Sequence, residues 1–260
     1  MPSFSLTSLL HLARSGILSQ QTGIDITSNN IANVNTVGYK RARAEFNELL
    51  SAELAPALAG SGRSSGQAAG IRLADNQRIF SQGQIEYTGY AWDMAIEGEG
   101  FFQVQQPDGS LAYTRDGNFR LDGEGQLTDS RGYLVAPGVV IPPDAEDTFV
   151  NTDGTVMIRR RGELEPQSLT TITLARFSNP SGLDKIGENL FVPSDASGQP
   201  QVEQATANGT GQILSRTLED SNVDLSREVV NLITGQRAYS MMVRALQTSD
   251  EMLSLANQLR

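Results

Sequence analysis

The sequence predicts an α+β protein: a discontinuous N- and C-terminal helical coiled-coil domain with an all-β domain inserted between its halves. Three observations predict it. Seven-residue apolar repeats are confined to the two ends, short apolar runs broken by turn signals fill the middle, and a small-residue stretch divides the first helix from the strands.

At the N-terminus, Leu6, Ala13, Gln20, Thr27 and Val34 fall seven apart, with Leu10, Ile17, Ile24 and Ile31 between them. Steps of four and three are the a/d seam of a coiled coil, and polar residues such as Gln20 and Thr27 within it specify register at a cost in stability. Arg14 and Asp25 are the only charged side chains through Tyr39, far fewer than a helix open to water carries. The C-terminus repeats the pattern through Leu225, Val229, Leu232, Tyr239, Val243, Leu246 and Leu253, with Gln236 and Asp250 interposed. Asp224 is placed to cap it, its carboxylate accepting from backbone N–H groups of the first turn. A second row, Ile233, Met242, Met252, Ala256 and Leu259, predicts a helix that is apolar on more than one side. At about 1.5 Å per residue each helix spans on the order of 45–55 Å. Pairing of the two within one chain accounts for one seam each. The low charge and the second row favour assembly with further copies.

Between the helices the pattern changes. Residues 55–70 are mostly Ala, Gly and Ser and read as a linker or mobile loop. From Ile71 to about Leu218, Asp-Gly pairs at Asp108-Gly109, Asp116-Gly117, Asp122-Gly123 and Asp153-Gly154 mark tight turns of positive φ. Runs such as Gly100–Val104 and Leu169–Leu174 suit half-buried strands. The expected organisation is therefore a helical assembly domain of 1–36 plus 221–260, an extended connector and flexible loop at 37–70, and a β-rich outer domain of 71–220.

Composition narrows the function. Apolar residues are 38% and charged residues 19%, both below the roughly 45–50% and ~25% of ordinary globular chains. Neutral polar residues and glycine fill the difference, as suits surfaces that meet other protein surfaces. A net charge of −10 gives no basic footprint for nucleic acid. Arg159-Arg160-Arg161 is the single basic run and reads as a solvated turn beside Glu163 and Glu165. With no cysteine and one histidine, His11, thiolate chemistry and multi-histidine metal sites are excluded. No stretch approaches ~20 apolar residues, so no integral membrane span is expected. From the first residues, which carry no positive n-region, no cleaved secretory signal is expected.

Catalytic signatures fail on inspection. Asp116–Asp122 begins like a calcium loop, but Arg120, Leu121 and Leu127 occupy positions that need oxygen, glycine and glutamate. Gly98-Glu99-Gly100 lacks the third glycine of a dinucleotide fingerprint. Asp93, Glu97 and Glu99 lie around the only tryptophan, Trp92, which keeps an envelope glycan-binding β domain as an alternative of another class, with Trp92, Asp93 and Glu99 its candidates. No catalytic, cofactor or metal residue is assigned.

Ser28-Asn29-Asn30-Ile31-Ala32-Asn33-Val34-Asn35-Thr36-Val37-Gly38-Tyr39-Lys40 resembles the N-terminal signature of the flagellar basal-body rod and hook proteins. Asp93–Val104, Tyr113–Phe119, Gly125–Leu127, Ser221–Asp224 and Gln236–Tyr239 are similar to further family segments at family spacing. Chain length and the stretch at 46–70 resemble the distal rod members more than the longer hook members. A proximal rod or short hook protein is the near alternative. The resemblance implies no enzyme and no cofactor, but a subunit that self-assembles helically into a rigid hollow drive shaft and transmits torque. It implies export by the flagellar type III apparatus without a cleaved signal, and a place in the periplasm-spanning rod. Copies of itself, other rod proteins, the hook protein, bushing-ring proteins and a rod cap are the implied partners. It marks Asn29, Asn30, Asn33, Gly38, Tyr39 and Lys40 as family motif. It makes Leu6, Leu10, Ala13, Ile17, Ile24, Ile31 and Val34, with Leu225, Val229, Leu232, Tyr239, Val243, Leu246 and Leu253, the assembly interface.

Overall fold

A long helix lies towards each end of the chain, and the described residues between them are mostly strands, turns and loops. The computed structural model describes residues 6–50, 68–162 and 165–258, and the side chains of α1 from Ala13 onward. The expectations for the side chains of Leu6, Leu10, His11 and Leu253, and for most of the 46–70 loop, lie outside the described residues. The architecture is α+β. Two units divide it: unit 1 comprises 1–32, 42–78 and 224–260, and unit 2 comprises 33–41 and 79–223.

Unit 1 contains α1 (Leu6–Ala32), β1 (Ala42–Leu50), β2 (Ala68–Arg78) and α2 (Leu225–Gln258). The helices run antiparallel. A Cβ on Gly16 would lie 3.5 Å from Met242 Sδ and one on Gly235 3.2 Å from Ile24 Cγ1, so residues rising along α1 meet residues falling along α2. Asp224 caps α2 as expected, Arg227 N–H donating to its Oδ1 at 3.2 Å. β1 and β2 pair antiparallel from Ala42↔Arg78 to Leu50↔Ala68, with register shifts at Glu45/Phe46 and Leu49/Leu50. The sequence reading stops the flexible segment at 70 and starts the β domain at 71. In the structure 68–78 is instead one continuous strand of the helical unit, because its hydrogen-bond partner is β1.

Among the described residues, every strand pairing of unit 2 is antiparallel, and one short 3-10 helix, Pro180–Gly182, interrupts the strands. A seven-stranded sheet runs in order through Asp184–Gly187, Leu190–Val192, Leu111–Thr114, Phe102–Gln105, Leu134–Val135, Leu127–Thr128 and Arg120–Leu121. A three-stranded sheet joins Ala145–Val150, Thr155–Arg160 and Gln167–Thr171. Two-stranded ribbons pair Met94–Glu97 with Gln212–Ser215, Thr173–Arg176 with Gln201–Gln204, and Ile85–Tyr87 with Thr217–Glu219. The core gathers Met94, Ile96, Phe102, Val104, Val156, Leu174 and Ile213, all inaccessible to solvent or nearly so. Beside it Phe80, Phe101, Phe177 and Phe191 pack edge to face, with Tyr113 on Phe177 at 4.9 Å. Such offset geometry follows from the ring quadrupoles.

Three local expectations change. Leu169–Leu174 is not one strand: it breaks at the buried Ile172, and its halves enter different sheets. Gly109 and Gly154 take positive φ at 85°, as expected of their Asp-Gly turns. Gly117 does not. Its glycine answers to close approach, since a Cβ there would stand 1.5 Å from Met94 O. The basic run is a turn only at Arg161, because Arg159 and Arg160 end a strand and pair with Asp147 and Asp144.

Candidate assembly surface and the motif after the first helix

The Asn-rich motif begins inside α1 and finishes in unit 2. Asn30 is buried, and its carboxamide behaves as a strand partner: Oδ1 accepts from Ala42 N–H at 3.0 Å and Nδ2 donates to Ala42 O at 2.9 Å. A planar amide has both donor and acceptor and so can stand in for a peptide group. Asn30 Nδ2 also donates to Glu228 Oε2 at 3.2 Å, tying the end of α1 to the first turn of α2. Asn29, one residue earlier, is exposed. Asn33 turns the chain, its backbone O accepting from Thr36 N–H and its Oδ1 from Thr36 Oγ1 at 3.2 Å. Gly38 has φ of 65°, and any Cβ would come within 2.5 Å of Asp116 N, so both handedness and space demand glycine. Tyr39 is buried, with Lys185 Nζ 5.6 Å from its ring centroid.

Lys40 ends the motif in a sealed ion cluster. Its Nζ donates to Glu219 Oε1 at 2.6 Å and to Ser81 O at 2.9 Å. Arg115 Nη1 stands 3.5 Å from Glu219 Oε2, and Arg115 Nη2 donates to Gly98 O at 2.8 Å. Gly83 N–H donates to Glu219 Oε1 at 2.8 Å. Desolvation pushes the Lys40 pKa below the ordinary lysine range; Glu219 opposes that shift and Arg115 adds to it. Asn222 closes the same corner, Oδ1 accepting from Arg41 N–H at 2.7 Å and Nδ2 donating to Ile79 O at 2.8 Å. The cluster thus pins residues 38–41, 79–83 and 219–222 together. Its three charged side chains are too buried to meet a substrate. Sequence marks Lys40 in the motif and places Arg115 and Asn222 in family-like segments, but not Glu219 or Glu228, which stand alone in sequence with no periodicity to mark them.

On α1, Ala13, Ile17, Gln20, Ile24, Thr27 and Ile31 are half-buried, and Val34 is half-buried beyond its end. On α2 the expected seam splits. Leu232, Tyr239, Val243 and Leu246 are half-buried, whereas Leu225 and Val229 are exposed. A straight helix drifts about 20° per heptad against a 3.5-residue repeat, which carries the early members off the shared face. The second row is not one face either, since Met242 approaches Gly16 while Ile233 and Met252 are exposed. What the structure leaves open is a broad apolar side of α2 holding Val230 at 59%, Ile233 at 44% and Met241 at 63% exposure. Of the glycan candidates, Trp92 and Asp93 share a cleft, but Glu99 turns away to Arg176 at 3.8 Å. Among the described residues no acidic or histidine group is arranged to hold a metal ion, and no helix is long and apolar enough to cross a membrane.

Helical ends paired in one unit, a β unit inserted between them and apolar side chains left on the helix surface define the class: a structural assembly protein. Residues 10–40 match the family described as flagella basal body rod protein, 95–158 the flagellar hook protein FlgE/F/G D1 domain, and 214–259 the flagellar basal body rod FlgEFG protein C-terminal region. The flagellar basal-body rod protein FlgG of Buchnera aphidicola subsp. Schizaphis graminum is 40% identical over 256 residues, covering 96% of this chain and 98% of that one. FlgG of Caulobacter vibrioides is 40% identical over 260 residues at the same coverage. The flagellar hook protein FlgE of Helicobacter mustelae is 38% identical over only 128 residues, 46% of this chain and 28% of its own length. The chain belongs to the flagellar rod and hook protein family, as a structural subunit of the basal-body rod most like the distal rod protein FlgG.

Proposed function

We propose that this chain is a non-enzymatic distal rod subunit that polymerises helically into a stiff hollow shaft and transmits torque through repeated interfaces. The observation that carries this is the unpartnered apolar side of α2, where Leu225, Val229, Val230, Ile233 and Met241 are exposed together. Burying such side chains is worth about 1.5–3 kcal/mol each, and neighbouring copies offer the surface to do it. In the polymer α1 and α2 serve as coiled-coil assembly elements, with the two expected seams at their interfaces, and the β-rich domain faces outward. The expected loop at 46–70 braces adjacent subunits. Other rod proteins, the hook protein, bushing rings and a rod cap are the proposed partners, reached by type III export into the periplasm-spanning rod.

Electron microscopy of the concentrated full chain beside Val230→Asp and Ile233→Asp variants tests the reading. Straight tubular polymers are expected from the unaltered chain, and monomers of unchanged circular dichroism from both variants. Variants that polymerise as readily as the parent would remove the α2 face from the assembly mechanism.

A further inference from the structure

Unit 2 carries a cleft of about 590 Å³ that rod assembly through the helices leaves unused. Tyr90, Trp92 and Phe119 form its aromatic wall, and Asp93, Asn118 and Arg120 its polar side. The volume lies within the roughly 300–1,000 Å³ of small-ligand sites, which combine apolar walls with a few placed polar groups. Trp92 and Phe119 also pack in the core, so folding accounts for them, but it does not account for Tyr90. Tyr90 is 74% exposed and Tyr87, three residues earlier, 68%, and neither belongs to a core cluster.

The polar side is held in place. Asp93 is 7% exposed, its Oδ2 accepts from Thr88 Oγ1 at 2.5 Å, and its backbone bridges to Asn118. Thr88 and Gly89 N–H both donate to Arg216 O, at 2.8 and 3.2 Å, which anchors the turn that presents Tyr90. A carboxylate fixed at the floor and a guanidinium at the rim cancel in charge, so the lining favours a neutral ligand. A phosphate would meet Asp93 with only one compensating cation. A purely apolar ligand would strip water from Asp93, Asn118 and Arg120 without replacing it, at a cost of kilocalories per group. What satisfies both sides is a ring with an apolar face and a hydroxyl- or amide-bearing edge.

We propose that this cleft binds a neutral saccharide, its ring lying on Tyr90 and Trp92 and its hydroxyl or acetamido groups bonded to Asp93, Asn118 and Arg120. Binding occurs without cleavage. Glycoside hydrolysis needs two carboxyl groups flanking the bond, and Asp93 is the single carboxylate of the lining.

Trp92 is the only tryptophan of the chain, so indole emission comes from a single side chain, one that lines this cleft. The test titrates the full-length monomer, at concentrations below assembly, with chitotetraose and with cellotetraose. A saturable shift in Trp92 emission is expected with at least one of them. Tyr90→Ala, which removes an exposed ring and leaves the fold intact, should weaken it about tenfold, and Asp93→Asn should weaken it at unchanged circular dichroism. No response to either sugar overturns the proposal, as does a response that Tyr90→Ala leaves unaltered. An emission shift that tracks protein concentration without sugar also overturns it, and assigns the cleft to a second copy of the chain.

Discussion

Two cations, Lys40 and Arg115, share one carboxylate, Glu219, and none of the three side chains is more than 5% exposed. This unequal count sets an order among mutations. Glu219→Gln leaves two buried cations without an anion, and breaking a buried pair this way costs about 3–5 kcal/mol. Lys40→Met leaves one cation facing one anion, so it should cost clearly less; urea unfolding followed by Trp92 emission ranks the two, and equal losses would refute the shared-carboxylate account. The pH dependence has a definite sign. Burial lowers the Lys40 pKa in the folded state, so between that pKa and the ordinary lysine value near 10.4 the unfolded chain binds more protons. Stability from this group therefore rises with pH through that window. Tyr113, whose pKa burial raises, acts in the opposite direction near its own ordinary value. The difference between the parent and Lys40→Met isolates the lysine, and it should grow as pH rises below pH 10. Lys40 was legible in sequence as the last residue of a recognisable motif. Its partner Glu219 was not, because a lone glutamate 179 positions away carries no local signal.

At the scale of elements, Asn30 is where α1, β1 and α2 meet. Asn30→Ala withdraws the partner of the buried Ala42 N–H and C=O and one partner of Glu228. At about 1–3 kcal/mol for each buried group left without its bond, a loss of roughly 2–4 kcal/mol is expected in the helical unfolding transition followed by circular dichroism. Gln21→Ala, on an exposed position of the same helix, should move the same transition by no more than about 0.5 kcal/mol, and similar shifts for both would deny Asn30 this role. The two helices and their capping aspartate were legible because periodicity and N-cap chemistry are local. The face each seam residue occupies was not, since 20° of drift per heptad accumulates over the 34 residues of α2. For the same reason the sheet change at Ile172 escaped the pattern: alternation reads the same on both sides of a residue that leaves one sheet for another. Strand β2 was missed because its first residues, Ala68-Ala69-Gly70, have the composition of a loop and become a strand only through pairing with β1.

For the whole molecule, the apolar side of α2 draws copies together while a net charge of −10 on every chain holds them apart. These terms answer to salt differently, so the balance between them can be measured. Chloride screens the repulsion over a Debye length of about 10 Å at 0.1 M and little beyond that. Sulfate does the same and in addition strengthens apolar burial by its exclusion from protein surface. The critical concentration for polymerisation should therefore fall with sodium chloride and then level. At matched ionic strength in sodium sulfate it should continue to fall, and the milder Ile233→Ala should shrink that further decline while leaving the chloride limb. Light scattering across the two salt series reads both limbs directly. Coincident chloride and sulfate curves would make charge screening sufficient, and the exposed Val230, Ile233 and Met241 would then need another purpose than joining copies of this chain.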